Sequence, residues 1–511
     1  MAQAGHTFLP ASTIDISQHG SQIISSTLEP TSSFPSTLSG DVSKTSQLDQ
    51  TKVDQLVLGL PAKRGNSSFT RWLHHIAFTY YRKLFTAIFA SNLAAFVVIV
   101  VKKHGRPLAP SIASATSANL MVALLFRQEN FVNLCYEIAV SCPHKAPLWL
   151  RSRLAKVFHY GGAHSGAGVA AVVWYLMYTA VLTRDFVAFS GKWALANLIT
   201  SSILVSLFCF ILAAAHPALR QRYHDHFEAV HRFSGWLALI TFWMHTIFAA
   251  NQYRALEPIP STLGRYLIHT PNFWMLCIST SCSILSWGLL RRHTVYPEVL
   301  STHAIRLHFK YRDMAPFYGL EISTRPLLEW HAFATIPNER EDGKGTGSAP
   351  KTKGFSVVVS NAGDWTRECI TNPPKRVWVR GAPMHGLLYT SLLFKKIVVV
   401  ATGSGIGPCL SLFHADKTPR RIFWSTSSPL ITYGAKIVEA VKKADSDSEA
   451  WIWDTRTKGR PDMLAITYKL VVESQAEAVF VISNPKLELT RGVVYGMESR
   501  GIPAYGAIFD S

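Results

Sequence analysis

Read for its alternation of apolar and polar positions, the chain changes texture three times. Residues 1–68 show almost no periodic apolar content and are dominated by Ser, Thr, Gln and Gly. A segment of that kind cannot bury enough surface to offset its ordering entropy, so residues 1–70 are expected to be a disordered tail. Long apolar runs follow at 83–101, 114–140, 164–182, 193–215, 233–250 and 272–290. Each is near the length needed to cross a hydrocarbon core. The second run is interrupted by Arg127 and Glu129, which must either face the interior of a bundle or mark the end of a span near Phe126. The expectation is a multi-pass α-helical membrane domain of about six helices over 71–292.

After Arg292 the runs become short and alternating, as at 304–311, 318–323 and 355–359, and are bounded by Gly, Pro and Asn. That is the pattern of a small antiparallel β-barrel, expected over 293–390 with a polar hairpin loop at 339–353. From Lys395 the pattern turns to strand–turn–helix repeats, with buried strands expected at 397–401, 421–425, 450–454 and 478–482. This predicts an α/β domain with a parallel sheet over 391–511.

Composition sharpens the membrane reading. The chain of 511 residues is 48% hydrophobic but only 16% charged, against about 25% charged in a typical soluble domain. The net charge of +19 comes without a basic stripe interleaved with aromatics, which argues against nucleic acid and leaves anionic lipid or anionic cofactors as partners. Seven scattered Cys without a C-x-x-C pair fit reduced thiols. The first twenty residues lack the basic start and apolar core of a signal peptide. Lys63, Arg64, Arg71 and Arg82 before the first run, and Lys145, Arg151, Arg153 and Lys156 after the second, favour a cytosolic side there; Lys102, Lys103 and Arg106 argue the other way. Six spans would place both termini in the cytosol of a plasma membrane or endomembrane.

The strongest chemical signal is Ile397-Val398-Val399-Val400-Ala401-Thr402-Gly403-Ser404-Gly405-Ile406-Gly407-Pro408. A buried strand runs into a Gly-rich turn and then into a helix start. Glycines let backbone approach a pyrophosphate, and the helix N-terminus supplies N–H donors and a favourable dipole. Thr402, Gly403, Gly405, Gly407 and Pro408 are therefore candidate NAD(P) ligands, with Trp424, Ser425 and Arg460 toward the adenosine end. Arg420 and Arg421 could attract a 2′-phosphate.

Upstream lies Arg325-Pro326-Leu327-Leu328-Glu329-Trp330-His331-Ala332-Phe333-Ala334, followed by Asn361-Ala362-Gly363-Asp364-Trp365-Thr366 and by Val377 to Gly386. This succession resembles the flavin-binding module of the ferric reductase and NADPH oxidase group, within the wider ferredoxin–NADP reductase superfamily. The resemblance covers roughly 300–511. It implies FAD held by Arg325, His331 and Phe333, by the turn Asp364, Trp365 and Thr366, and by a covering Phe509. Departures are Ala332 and Ala334 in the His-Pro-Phe-Ser/Thr stretch, and Ser483-Asn484-Pro485 where relatives carry Cys-Gly-Pro.

The same group seats two haems between helices that each carry a His pair thirteen or fourteen positions apart, about 20 Å along a helix. His231 and His245 keep that spacing, but fourteen positions after His159 and His164 stand Val173 and Tyr178. A two-haem wire is thus not expected; one inner haem, from His164 or His159 with His231, and no haem both stay open, with His245 lacking a partner. Over the whole chain, His159-Tyr160-Gly161-Gly162-Ala163-His164-Ser165-Gly166 and Asn361 to Thr366 resemble fungal TmpA-type integral membrane flavoproteins, linked to developmental signalling. Similar modules also occur fused to, or beside, fungal biosynthetic enzymes. The resemblance implies an NAD(P)H-dependent flavin oxidoreductase passing electrons to an unidentified cytosolic or membrane-dissolved acceptor. A haem-containing transmembrane metalloreductase or superoxide-producing oxidase, and a catalytically weak nucleotide-binding sensor, are the alternatives.

Overall fold

A computed structural model describes residues 59–64, 67–188, 190–257, 261–338, 353–483 and 487–507. The hairpin loop expected at 339–353 and most of the Ser/Thr-rich tail lie outside this range, as do Phe509, Asn484 and Pro485. The tail reading reaches too far in one place: residues 68–72 and 73–77 are helical turns immediately before the first long helix. Their apolar positions Phe69, Trp72, Leu73 and Ile76 already have helical spacing, which the Ser/Thr composition of the preceding stretch concealed.

The apolar runs form helices α1 (Tyr80–Lys102), α2 (Ala109–Leu125), α3 (Glu129–Val140), the short α4 (Leu148–Leu154), α5 (Gly161–Ala188), α6 (Lys192–Ala214), α7 (His224–Arg254) and α8 (Pro271–Gly288). Four of them, α1, α5, α6 and α7, are long and apolar enough to cross a membrane, or five if α2 and α3 count as one bent span. About six are expected from sequence; by length and composition α8, and α2 taken alone, fall short of that measure. The second run is not one helix: α2 and α3 meet at 74° around Phe126–Gln128, where the charged residues fall. Helix α8, rich in Ser and Thr, is not among the four. Outward rows of apolar side chains run along α1 (Leu93, Val97, Val101), α6 (Leu195, Ile199, Ile203) and α7 (Leu237, Ile240, Met244). Helix α5 sits at the centre, and its Gly162 and Gly166 let it close on α1. A Cβ at those positions would stand 2.3 Å from the Tyr81 carbonyl oxygen and 2.9 Å from that of Phe85, a small-x-x-x-small contact that brings two backbones together.

The alternating region folds as a seven-stranded antiparallel sheet of β1 (Arg291–Val299), β2 (Ala304–Phe309), β3 (Tyr318–Ser323), β4 (His331–Ala334), β5 (Ile336–Pro337), β6 (Phe355–Ser360) and β7 (Arg376–His385), in the order β4-β3-β7-β1-β2-β6-β5. The sheet curls so that β4 also lies beside β6. Its inner face packs Leu307, Phe309, Ile322, Phe355, Val357 and Val377 against Trp365 and Ile370 of α9 (Asp364–Thr371).

The last region is a five-stranded parallel sheet of β8 (Ile397–Thr402), β9 (Arg420–Thr426), β10 (Trp451–Asp454), β11 (Ala478–Ile482) and β12 (Ala504–Gly506), ordered β10-β9-β8-β11-β12. Alternate residues of its central strands serve two cores. Val399, Ala401 and Phe480 pack with α10 (Ile406–Ala415) and α11 (Pro429–Lys443) on one face. Val398, Val400 and Val479 pack with α12 (Met463–Ser474) and α13 (Leu487–Glu498) on the other. Burial on both faces explains the continuous apolar strands.

Helix α3 does not cross anything; it packs on β7 and on the 387–393 segment that leads to the parallel sheet. Asn133 holds the seam, donating from Nδ2 to the Pro383 carbonyl (2.8 Å) and accepting the His385 amide N–H (2.8 Å). The Ser286 hydroxyl at the end of α8 donates to Glu129 at 2.7 Å. On α4, Arg151 forms a bidentate pair with Glu477 (2.7 and 3.0 Å) and donates to the Leu393 carbonyl.

Candidate functional site

The order of the parallel sheet puts a reversal of winding between β8 and β11, and ligands of open α/β sheets bind outside the carboxyl ends of strands at that point. The Gly-rich turn is there. Gly403 to Gly405 form a tight turn after β8, and α10 starts at Ile406. Gly405 lies directly on the end of β11: an added Cβ would be 2.1 Å from the Ile482 carbonyl oxygen. The Thr402 and Ser483 hydroxyls bridge the two strand ends at 2.7 Å, so Ser483 ties the crevice floor. Pro408 occupies the first turn of α10, where its missing N–H costs nothing.

The other NAD(P) candidates separate. Trp424 is fully buried, and its indole N–H donates to the Gly403 carbonyl at 3.0 Å, so it braces the turn from within the core and offers no face to an adenine. Ser425 is buried opposite Thr402 on the paired strand. Arg460 is exposed on the loop before α12. Arg420 and Arg421 start β9, the opposite end from the turn. Arg420 is buried, paired with Asp416 and donating to the Ala444 and Thr418 carbonyls, and Arg421 pairs with Asp445 at 3.0 Å. Neither is available for a 2′-phosphate: the basic doublet that looked like surface charge is internal structure.

On the antiparallel sheet, His331 and Phe333 of edge strand β4 point to the same face, opposite Ile322 and Leu320 of β3. Trp365 covers both, stacked on His331 with centroids 4.2 Å apart at 25° and tilted on Phe333 at 6.0 Å. Its indole N–H donates to Thr324 Oγ1 at 2.9 Å, which anchors the start of the Arg325 loop to α9. His331 Nε2 is buried without a hydrogen-bond partner, the Glu329 carboxylate standing 3.7 Å away. Burial holds this imidazole below its ordinary pKa, so it is neutral at pH 7. An orphaned buried ring nitrogen beside aromatic faces fits a planar, hydrogen-bonding heterocycle. Arg325 is exposed near Glu368 at 3.9 Å. Thr366 behaves otherwise than expected. Its hydroxyl accepts the Ala362 and Gly363 N–H groups at 2.9 Å each, capping its own helix, while Asp364 is fully exposed. The structure thus gathers His331, Phe333 and Trp365 and leaves Asp364, Thr366 and Arg325 at the rim.

Both halves meet at one junction. Helix α10 packs on β4 and β5, and the Phe317 N–H donates to Ser411 Oγ at 2.7 Å. Helix α10 therefore packs beside the His331 strand, with Gly407 of its first turn facing Val358 of β6. Pattern reading missed one neighbour of this junction. Arg380 is paired with Glu321 and sandwiched by Trp330 (4.6 Å) and Trp287 of α8 (5.0 Å), linking the loop before β4 to the helical bundle. No local motif marks it; its only sequence cue is a Trp inside the His331 stretch.

In the bundle, His164 and His231 face each other with ring centroids 6.2 Å apart, and His164 Nδ1 lies 2.8 Å from the Ala123 carbonyl oxygen. Tyr178, at the register of the missing histidine, meets His245 Nε2 at 3.1 Å, while Thr200 Oγ1 meets its Nδ1 at 2.9 Å. Both nitrogens of His245 are taken, so it does not fit an iron ligand. Among the described residues no group of three or more His, Cys, Asp and Glu could hold a metal ion.

Comparison with known proteins gives a consistent set. The family model described as "Adenylate-forming reductase 03009, C-terminal domain" matches residues 387–511. Adenylate-forming reductase 03009 of Coprinopsis cinerea is 42% identical over 441 residues, covering 86% of this chain and 41% of the relative. Adenylate-forming reductase 06235 of the same fungus is 40% identical over 443 residues, with 86% and 41% covered. The chain thus spans about two fifths of the length of the curated relatives it matches. Among solved structures, a ferredoxin–NADP+ reductase from Plasmodium falciparum with 2′P-AMP aligns at TM-score 0.31 and 11% identity, over 43% of this chain and 95% of that one. The CS-b5R domains of human Ncb5or, NAD+ form, align at TM-score 0.32 and 9% identity, over 43% and 69%.

Proposed function

We propose that this chain is the membrane-anchored electron-transfer portion of a reductase, taking electrons from NAD(P)H through FAD to an acceptor on the same side of the membrane. We read its domains as a helical bundle, an antiparallel barrel for the flavin from about 293 to 390, and a nucleotide domain thereafter. The observation that carries this reading is the junction itself. A Gly-rich turn at a topological switch point leads into a helix that packs on the strand presenting a neutral, unpartnered His331 Nε2 and an aromatic pair. The relatives' names add reduction as the activity and adenylate formation as its setting, so we read the module as working with an adenylate-forming enzyme.

The nicotinamide supplies a hydride, and the flavin, when bound, accepts the pair and releases electrons singly or together. The protein's part is placement. Gly405 keeps the turn against β11 so that the first N–H groups of α10 face the pyrophosphate, and Trp424 holds the Gly403 carbonyl inward. His331 Nε2 would take a polar edge of the flavin while Phe333 and Trp365 shield one face from water. Ala334 offers no hydroxyl, so at that position only the strand backbone would be available to a bound flavin. The apolar rows of α1, α5, α6 and α7 anchor the module in a bilayer. The starts of α1, α5 and α7 and the ends of α2 and α8 lie on the reductase side, which makes that side cytosolic. With His245 hydrogen-bonded to Tyr178, the bundle serves as anchor rather than as a wire through the membrane.

The test is flavin retention. The purified chain should carry close to one FAD. His331→Ala should lose it at least tenfold more readily on dilution while keeping its far-ultraviolet spectrum. Full retention by His331→Ala would overturn the assignment of β4.

A further inference from the structure

We infer that residues 67–78 form a lipid-seated foot, with their apolar face in the headgroup–acyl boundary of an anionic leaflet. This deepens the membrane reading above and rests on it. The segment comprises a helical turn over Ser68–Trp72 and a wider turn over Leu73–Ala77, ending at the Thr79 cap of α1. Its two faces are inverted relative to a surface helix of a soluble protein. Phe69, Trp72, Leu73 and Ile76, at helical spacing, are 64, 49, 36 and 47% exposed. His75 is turned inward, its Nδ1 3.2 Å from Glu498 of α13 and its ring edge-on to Tyr495. A soluble fold would bury the aromatic side and leave the His in water. An inverted face with large aromatics, placed directly before an apolar helix, is what the membrane interface selects.

Two further observations fix the occupant as anionic lipid rather than a second protein. First, Lys63, Arg64, Arg71, Arg82 and Lys83 flank the face, and there is no Asp or Glu between 59 and 83. Such a cluster complements acidic headgroups. Second, the patch is continuous with the proposed lipid surface: it leads into α1, whose Leu93, Val97 and Val101 are exposed. A second exposed pair, Leu327 and Leu328, sits on the same side, tied to α7 by Arg232 donating to the Leu327 carbonyl at 2.7 Å. The foot is also strapped to the nucleotide domain. The Arg64 N–H donates to Ser499 O (2.7 Å), Arg500 Nε donates to Pro61 O (2.9 Å), and Glu498 receives Lys156 as well as His75. Seating it in lipid thus sets the height of the last helix above the membrane.

The experiment is site-specific photocrosslinking in the full chain, reconstituted in vesicles of phosphatidylcholine with or without phosphatidylserine. Trp72→benzoylphenylalanine and Ile76→benzoylphenylalanine probe the foot. Ile199→benzoylphenylalanine on α6 probes the span, and Ile431→benzoylphenylalanine, exposed at the start of α11, is the aqueous control. Lipid adducts are expected at 72, 76 and 199 and not at 431. Phosphatidylserine should raise the yield at 72 and 76 about twofold or more, an increase abolished by high salt, with no change at 199. Lipid adducts at 199 with none, or only protein adducts, at 72 and 76 would overturn the foot while leaving the membrane reading intact. Absence of lipid adducts at 199 as well would overturn both.

Discussion

Gly405 and Gly407 belong to one motif, yet the geometry assigns them opposite tolerances. A Cβ on Gly405 would fall 2.1 Å from Ile482 O and 2.7 Å from Ile482 C, against the 3.4 Å at which ordinary contact begins. Both obstacles are backbone of a central strand paired with β8 along its length, so no side chain can swing aside. Gly405→Ala must move the turn off β11 by roughly 1 Å, which the close-packed interior resists. That displacement stretches the Thr402–Ser483 bridge and the Trp424 bond to Gly403 O, each worth about 1 kcal/mol, on top of about 1–3 kcal/mol for overpacking. A total of about 3–5 kcal/mol is expected, with nucleotide affinity reduced about a hundredfold in whatever remains folded. The Gly407 Cβ would meet only Val358 Cβ at 3.7 Å, an ordinary contact, so Gly407→Ala should stay within about 0.5 kcal/mol of the parent. Denaturant unfolding of the purified chain and NADPH titration by fluorescence read both quantities. Equal behaviour of the two variants, or a Gly405→Ala protein with parental stability and affinity, would refute the close-approach argument.

Arg151→Met should cost about 2–4 kcal/mol, because it strands the Glu477 carboxylate and two carbonyls at a half-buried joint. The Arg151 hydrogen bond holds the Glu477 pKa below its ordinary 4.5. The pair's contribution is therefore full at neutral pH and fades as pH falls through the folded pKa, so parent and variant melting temperatures should draw together at acid pH, below the ordinary 4.5. Asn133→Ala removes two hydrogen bonds across the seam between α3 and β7. It should lower stability by about 1–3 kcal/mol and accelerate hydrogen exchange of the 384–386 amides, while a variant with parental exchange would contradict the docking role. Tyr178→Phe leaves His245 Nε2 without its partner and should cost about 1 kcal/mol in detergent. NAD(P)H oxidation should be unchanged, and a collapse in turnover would show that the bundle conducts electrons after all.

The elements that could be read from sequence are those whose burial is uniform. Strands β8, β9 and β11 are covered on both faces by helices, so an unbroken apolar run identified them and the turn that follows β8. The His331 strand stands out by residue types that resemble a flavin strand, and the structure shows it as an edge strand with His331 stacked on Trp365. Roles set by distant partners were not legible. Trp424, Arg420 and Thr366 look like ligand residues in isolation, but each is consumed by a contact made within the fold: the Gly403 carbonyl, Asp416 and the Gly363 turn. Glu129 shows the converse. A charge in an apolar run signalled that something must satisfy it, and the answer was a 74° bend that turns the second run into a docking helix.

The central claim is that a nicotinamide and a flavin meet at the junction of α10 and β4. Anaerobic titration of the purified full chain with NADPH and, separately, NADH tests it most directly, followed by the absorbance bands of protein-bound flavin. The account predicts that the oxidised flavin bands bleach stoichiometrically with at least one of the two nucleotides, and that bleaching is lost in Gly405→Ala but kept in Gly407→Ala. A purified, folded chain that carries no flavin, or whose bound flavin neither nucleotide reduces, would contradict it.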